Sequence, residues 1–187
     1  GNIADYVRDG GSFVMIGGDR SFDLGEYGNT PIEEVLPVNL GTEEPSSLNP
    51  FVPVLTEAGK FHPVTKLAPS VEGNEATWKQ LPEMDGVNRV ASLRSNAARL
   101  LQHPTAKDDA GQPLSVLSVQ EIDKGRVMAL NVDSSWRWSY SEALEGEGNQ
   151  AYLRFWKNAL RWLIADPDDA QAVIQPSREN TLLGEEM

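Results

Sequence analysis

Hydrophobic positions along this chain follow two spacings, and the changes from one to the other mark its elements. Ile3, Tyr6 and Val7 stand at helical spacing, and Gly10-Gly11 supplies a C-terminal stop. "SFVMIGG" follows, a short apolar run that predicts a strand buried on both faces. Helix, glycine and strand in that order read as the second half of a βαβ unit. Residues 19–30 are a glycine-rich loop. Thr30-Pro31-Ile32-Glu33 predicts a capping box with proline at the first helical position, on a short helix stopped at Pro37.

Residues 39–86 carry many prolines and no long periodic run. They predict an irregular excursion with weak strands at "FVPVL" and around Ala76–Trp78. Beyond it the period shortens. "VNRVASL", "ARLLQH" and "LSVLSVQEI" predict strands, the last two separated by the turn-rich "PTAKDDAGQP". "IDKGR" predicts a tight turn with Gly125 as its left-handed residue, leading into "RVMALNVD". The result is a set of consecutive antiparallel strands beside an α/β beginning.

The strongest helix covers residues 150–164. Its predicted apolar stripe is Tyr152, Trp156, Ala159, Leu160 and Leu163, with Arg154, Lys157, Asn158 and Arg161 opposite. Asp166-Pro167 ends it. The tail that follows alternates weakly and reads as a linker and the first strand of a further β domain, over residues 169–187. The abrupt opening and close predict a longer parent chain.

Composition narrows the function classes. The 187 residues are 40% hydrophobic, enough for a core. No apolar stretch is long enough to span a bilayer, and no signal peptide opens the chain. The net charge of −12 repels phosphate backbones and disfavours nucleic acid as a partner. Cysteine is absent, which removes disulfides, thiolate metal sites and a cysteine nucleophile. The two histidines, His62 and His103, each precede a proline in separate segments, so both are read as structural groups. The "DPDD" of residues 166–169 lacks the other ligands of a calcium loop. Neither metal nor cofactor is predicted.

Two segments remain as candidate chemistry. "MIGGDRS" places Gly17 and Gly18, with Asp19 and Arg20, at the carboxyl end of a buried strand, where open α/β sheets build their sites. It matches neither a phosphate loop nor a dinucleotide fingerprint, and the readings are a small-anion or small-ligand site or a tight turn. "NVDSSWRW" carries Asp133, Ser134, Trp136 and Arg137 after an apolar run. As strand residues, Trp136 and Trp138 would share a face. If both segments end at one sheet edge, their polar groups form one pocket.

In order along the chain, "IADYVRDGGSFVMIGGDRSFDLGEYGNTPIEEVLPV", "HPVTKL", "LLQHP", "GRVMALNVDSSWRW" and "FWKNALRWLIADPD" resemble the later part of the class I glutamine amidotransferase-like domain of large bacterial membrane-associated proteins. The resemblance implies a flavodoxin-like, layered α/β fold with partly antiparallel late strands over residues 1–168. It also implies von Willebrand A-type and transmembrane neighbours in the parent, and so a tether to the bacterial membrane. True class I amidotransferases place a cysteine at an elbow after a buried strand and a His-x-Glu pair late in the sheet. Here Gly17 stands at the elbow, and Asp133-Ser134-Ser135 stands at the late strand's end. With nucleophile and base both missing, no glutaminase activity is expected.

Two functions follow as expectations. One is a non-catalytic module for small-ligand binding or protein interaction, its partners being other domains of the parent or separate proteins. The other is an enzyme of a different class, with Asp133 as acid/base and Arg137 orienting an anionic substrate. That second reading requires a partly buried Asp133 beside an open cleft shared with Gly18. An exposed sheet edge would further predict self-association.

Overall fold

The computed structural model describes residues 2–42, 46–139 and 150–165. Helix α1, Ile3–Arg8, opens on a reciprocal cap. Asn2 Oδ1 accepts from Asp5 N–H at 3.0 Å, and Asp5 Oδ2 accepts from Asn2 N–H at 3.2 Å. Its buried positions are Ala4 and Val7, while Tyr6 is exposed. Strand β1, Ser12–Ile16, follows. Helix α2, Pro31–Val35, is capped by Thr30 Oγ1 as expected. Its box is only half closed, because the Glu33 carboxylate accepts from Asn29 and Leu40 N–H instead.

The excursion is more regular than the sequence suggests. It contains β2 (Val38–Asn39), β3 (Ser47–Phe51), β4 (Val54–Leu55), α3 (Glu57–Phe61) and α4 (Val71–Gln80). The strand expected around Ala76–Trp78 is therefore helix. Ser70 Oγ caps it by accepting from Gly73 N–H at 3.0 Å. "FVPVL" divides between the end of β3 and β4. "VNRVASL" is not one strand either: β5, Met84–Val87, pairs with β3, and β6, Ser92–Leu93, pairs with β2.

The main sheet is built late in the chain. Strands β7 (Ala98–Lys107), β8 (Pro113–Ile122) and β9 (Gly125–Leu130) are consecutive and antiparallel, as the short period predicts. Among the described residues the order is β1-β9-β8-β7-β4, with β1 parallel to β9. There β1 is an edge strand rather than a strand buried on both faces. Only Met15 is buried in it, and Ile16 is exposed. The central strands β8 and β9 carry the continuous burial that the expectation gave to β1.

Two local corrections share one cause, close packing between elements. In the β8–β9 hairpin the left-handed residue is Asp123, at φ 52°. Gly125 is glycine for another reason: a Cβ there would lie 1.9 Å from the Val7 carbonyl oxygen and 2.5 Å from that of Gly11. The last helix, α5 (Gln150–Leu163), buries Ala151, Phe155, Ala159, Trp162 and Leu163. The predicted stripe is thus rotated by about one position; Leu160 is exposed, and Tyr152 and Trp156 are half-buried.

An aromatic cluster joins this helix to α4 and to the segment after β9. Trp78, Trp138 and Phe155 meet edge to face, with centroids 5.6 to 6.2 Å apart. Both indoles are satisfied: Trp78 Nε1 donates to Thr65 O at 2.8 Å and Trp138 Nε1 to Pro82 O at 3.3 Å. Trp136 and Trp138 do not share a face. Residues Ser134–Trp136 form a 3₁₀ turn, which rotates Trp138 into the core and leaves Trp136 exposed. The tail expected over 169–187, and the acidic "DPDD", lie outside the described residues.

Candidate functional site

Register places the two candidate segments together. Strands β1 and β9 run parallel, and their last residues, Ile16 and Leu130, are partners. Gly17-Gly18 and Asn131–Asp133 therefore leave the same end of the sheet side by side, the carboxyl edge where α/β folds place sites. A small cleft of about 80 Å³ lies there. Gly18, Asp19, Asn131 and Asp133 line it, together with the Asp85–Asn88 segment.

Two asparagines, not singled out by the sequence, build this cleft. Asn88 follows β5, and its side chain grips Gly18 at both backbone groups. Gly18 N–H donates to Asn88 Oδ1 at 2.8 Å, and Asn88 Nδ2 donates to Gly18 O at 3.0 Å. Asn88 N–H donates to Asn131 O at 2.7 Å, and Asn131 Nδ2 returns to Asn88 O at 3.2 Å. Three chain segments are thus cross-linked at one point. Asn131 ends the apolar run "VMAL", and that was the available signal, since a buried amide closing a strand needs partners; Asn88, after Met-Asp-Gly-Val, carried no such signal.

The elbow position is closed sterically. A Cβ on Gly17 would lie 2.7 Å from Asn88 Oδ1, 2.7 Å from Val132 N and 2.8 Å from the Asn131 carbonyl carbon. Two of those atoms are backbone, so no small rotamer change makes room. Gly18 has φ +135°, which disfavours a side chain there too. The backbone donors of the bend are also committed. Gly17 N–H donates to Leu130 O at 2.7 Å, and Gly18 N–H is held by Asn88. An anion would find neither of them free, which removes the main support for the small-anion reading.

The remaining predicted residues divide. Asp133 lines the cleft and is exposed, not partly buried. Its Oδ2 would be 3.9 Å from a Gly18 Cβ, so the carboxylate stands over the bend. Ser134 is buried and structural: its Oγ accepts from Asp85 N–H at 2.8 Å. Arg137 forms an ion pair with Asp85, a cleft residue, so this guanidinium already has an acidic partner. Arg20 and Trp136 are exposed and do not line the cleft.

The histidines are structural, as read from the sequence. Each uses Nδ1 to accept backbone N–H groups just past the following proline. For His62 the donor is Val64 at 3.3 Å; for His103 they are Thr105 at 3.2 Å and Ala106 at 2.9 Å. That role needs the neutral ring. Burial, with Arg126 nearby, pushes the His62 pKa down to about 4. Burial, with Arg89 nearby, also lowers that of His103. Among the described residues no group of three His, Cys, Asp or Glu side chains could hold a metal, and no helix is long and apolar enough to cross a membrane.

A mixed five-stranded sheet flanked by helices, with its cleft at the ends of β1 and β9, defines a flavodoxin-like α/β domain of the amidotransferase type. The chain belongs to the family described as "Putative glutamine amidotransferase", whose sequence model matches residues 2–165. Two solved structures share the fold. "Cytoplasmic Protein STM3548" from Salmonella typhimurium is 24% identical with a TM-score of 0.61. "Cytoplasmic Protein STM1381" from Salmonella typhimurium LT2 is 26% identical with a TM-score of 0.57. In each case 86% of this chain is covered, and it spans 58% of the other protein's length. No curated protein matches the sequence.

Proposed function

We propose that the chain is a non-catalytic amidotransferase-like module that binds a small ligand or a protein partner within a larger, envelope-associated bacterial protein. The observation that carries this reading is the packing at Gly17. The elbow position holds no nucleophile, and the Asn88 amide and the Asn131–Val132 backbone fill the space one would need. Amide hydrolysis through a covalent intermediate requires an activated nucleophile with its base in reach. The late strand offers Asp133 and two serines, of which Ser134 is spent on Asp85. The 26%-identical Salmonella protein is titled a cytoplasmic protein, which supports a location on the inner side of the envelope.

The rival enzyme reading has one observation in its favour, the open cleft shared by Gly18 and Asp133. It is weakened by the exposure of Asp133 and by the Arg137–Asp85 ion pair, since its anion-orienting cation already has a partner. Ammonia release from glutamine and from simple amides separates the two. The module reading expects no turnover above buffer. Turnover that disappears in Asp133→Ala would overturn it.

A further inference from the structure

We infer that the cavity between β4 and α4 binds a small carboxylic acid with an apolar body, its carbons against Pro53, Val54, Leu55 and Trp78 and its carboxylate on Lys79. The site lies at the opposite edge of the sheet from the cleft at the ends of β1 and β9 and does not depend on it. The cavity holds about 240 Å³, against about 80 Å³ in that cleft. Val54, which lines it from the edge strand, is 43% exposed, so the space is open to solvent.

Its walls are fixed without a ligand. On one side Thr56 Oγ1 donates to Arg99 O at 2.5 Å and Thr56 N–H donates to Leu100 O at 3.1 Å, which pins the end of β4 and the start of α3 to β7. On the other, Trp78 Nε1 donates to Thr65 O at 2.8 Å and anchors α4. Lys60 Nζ on α3 lies 3.0 Å from Glu75 Oε1 on α4 and ties the two helices together. Held this way, the walls leave a gap in which water meets aliphatic side chains, and carbon displaces that water favourably.

The lining selects body and head separately. Pro53, Val54 and Leu55 offer side-chain carbon alone, and the Trp78 indole nitrogen is already donating, so the inner surface suits an apolar group. An apolar cavity of about 150 Å³ holds a benzene ring, so this one admits one ring or a chain of about six carbons. Three lining residues are charged. Lys60 and Glu75 neutralise each other. Lys79, one helical turn beyond Glu75, makes no ion pair or hydrogen bond among the described residues, and Glu75 is turned to Lys60 instead. The unmatched charge on the lining is thus positive. Lys79 is exposed, so a carboxylate on it keeps part of its hydration while the carbons behind it are buried.

The test is an NMR titration of the 187-residue chain, following the methyl groups of Val54 and Leu55 and the indole N–H of Trp78. Hexanoate and benzoate are the probes, with acetate as the head without the body and 1-hexanol as the body without the charge. Saturable shifts at these three residues are expected with either acid and not with acetate. Lys79→Met keeps the stem and removes the charge; it should weaken hexanoate about three- to fivefold and leave 1-hexanol unchanged. Val54→Trp puts a ring into the cavity from an exposed position and should abolish binding of both; if that variant does not fold, Val54→Phe takes its place. No saturable shift with either acid, shifts as large with acetate, or hexanoate affinity unchanged in Lys79→Met or in the Val54 variant would overturn the inference. Ammonia release from glutamine tests the non-catalytic reading separately, so neither result decides the other.

Discussion

The side chain of Asn88 grips both backbone groups of Gly18, accepting from its N–H at 2.8 Å and donating to its carbonyl at 3.0 Å. One amide thereby takes the place a paired strand residue would have at the end of β1. This contact fixes the bend and fills the volume where a nucleophile's side chain would stand.

Asn88→Ala should cost roughly 1–3 kcal/mol, because it leaves Gly18 N–H without its partner and Gly18 C=O with only the Ser21 N–H at 3.3 Å. Asn88→Asp keeps the acceptor and loses the donor, so it should fall between. Urea denaturation of the three proteins checks the order. Identical midpoints would show that the clasp is incidental.

Restoring a nucleophile in place should fail. Gly17→Cys pushes a Cβ to 2.7 Å from Val132 N, which demands backbone movement. A destabilisation of about 2 kcal/mol or more is expected, without amide hydrolysis. Denaturant melts and ammonia release measure both. A stable, active Gly17→Cys protein would mean the elbow is more yielding than its packing implies.

Stability should fall as the solution is acidified below neutrality, and His62 gives the sign. Its folded pKa is depressed to about 4 from an ordinary value near 6.5, so between those values the unfolded chain binds the extra proton. The neutral-ring contribution is complete above about pH 6.5 and is lost as pH falls toward 4, roughly 3 kcal/mol from this residue. His103 acts in the same direction. Replacing His62 with glutamine should flatten the pH dependence of the urea midpoint. An unchanged slope would assign the effect elsewhere.

Trp138→Ala should be among the most damaging single changes, at about 3–5 kcal/mol. It removes a fully buried ring that meets both Trp78 and Phe155. Phe155→Leu keeps most of the volume and should cost about 1–2 kcal/mol. Calorimetric melting gives both values. A larger loss in Phe155→Leu than in Trp138→Ala would contradict the cluster's geometry.

The free side of β1 should support self-association. Among the described residues β1 ends the sheet, and Ile16 at its tip is 40% exposed. Light scattering should show a dimer that Ile16→Lys weakens. A monomer at every concentration would count against this.

Local chemistry settled much of this protein before any tertiary contact formed. The helical spacing of α1, the Thr30 cap of α2 and the three antiparallel late strands were legible, because each depends on neighbours in sequence. The meeting of the two candidate segments was legible only as a condition, and the parallel pairing of β1 with β9 met it. The helices α3 and α4 were not legible: Gly59 and Gly73 depress helical propensity, and packing against β7, β4 and one another holds those segments helical. Sheet order alone made β1 an edge strand, and a 3₁₀ turn alone separated Trp136 from Trp138. The grip of Asn88 on Gly18 joins residues 70 positions apart, and no local pattern encodes a contact whose partners are chosen only when the sheet closes.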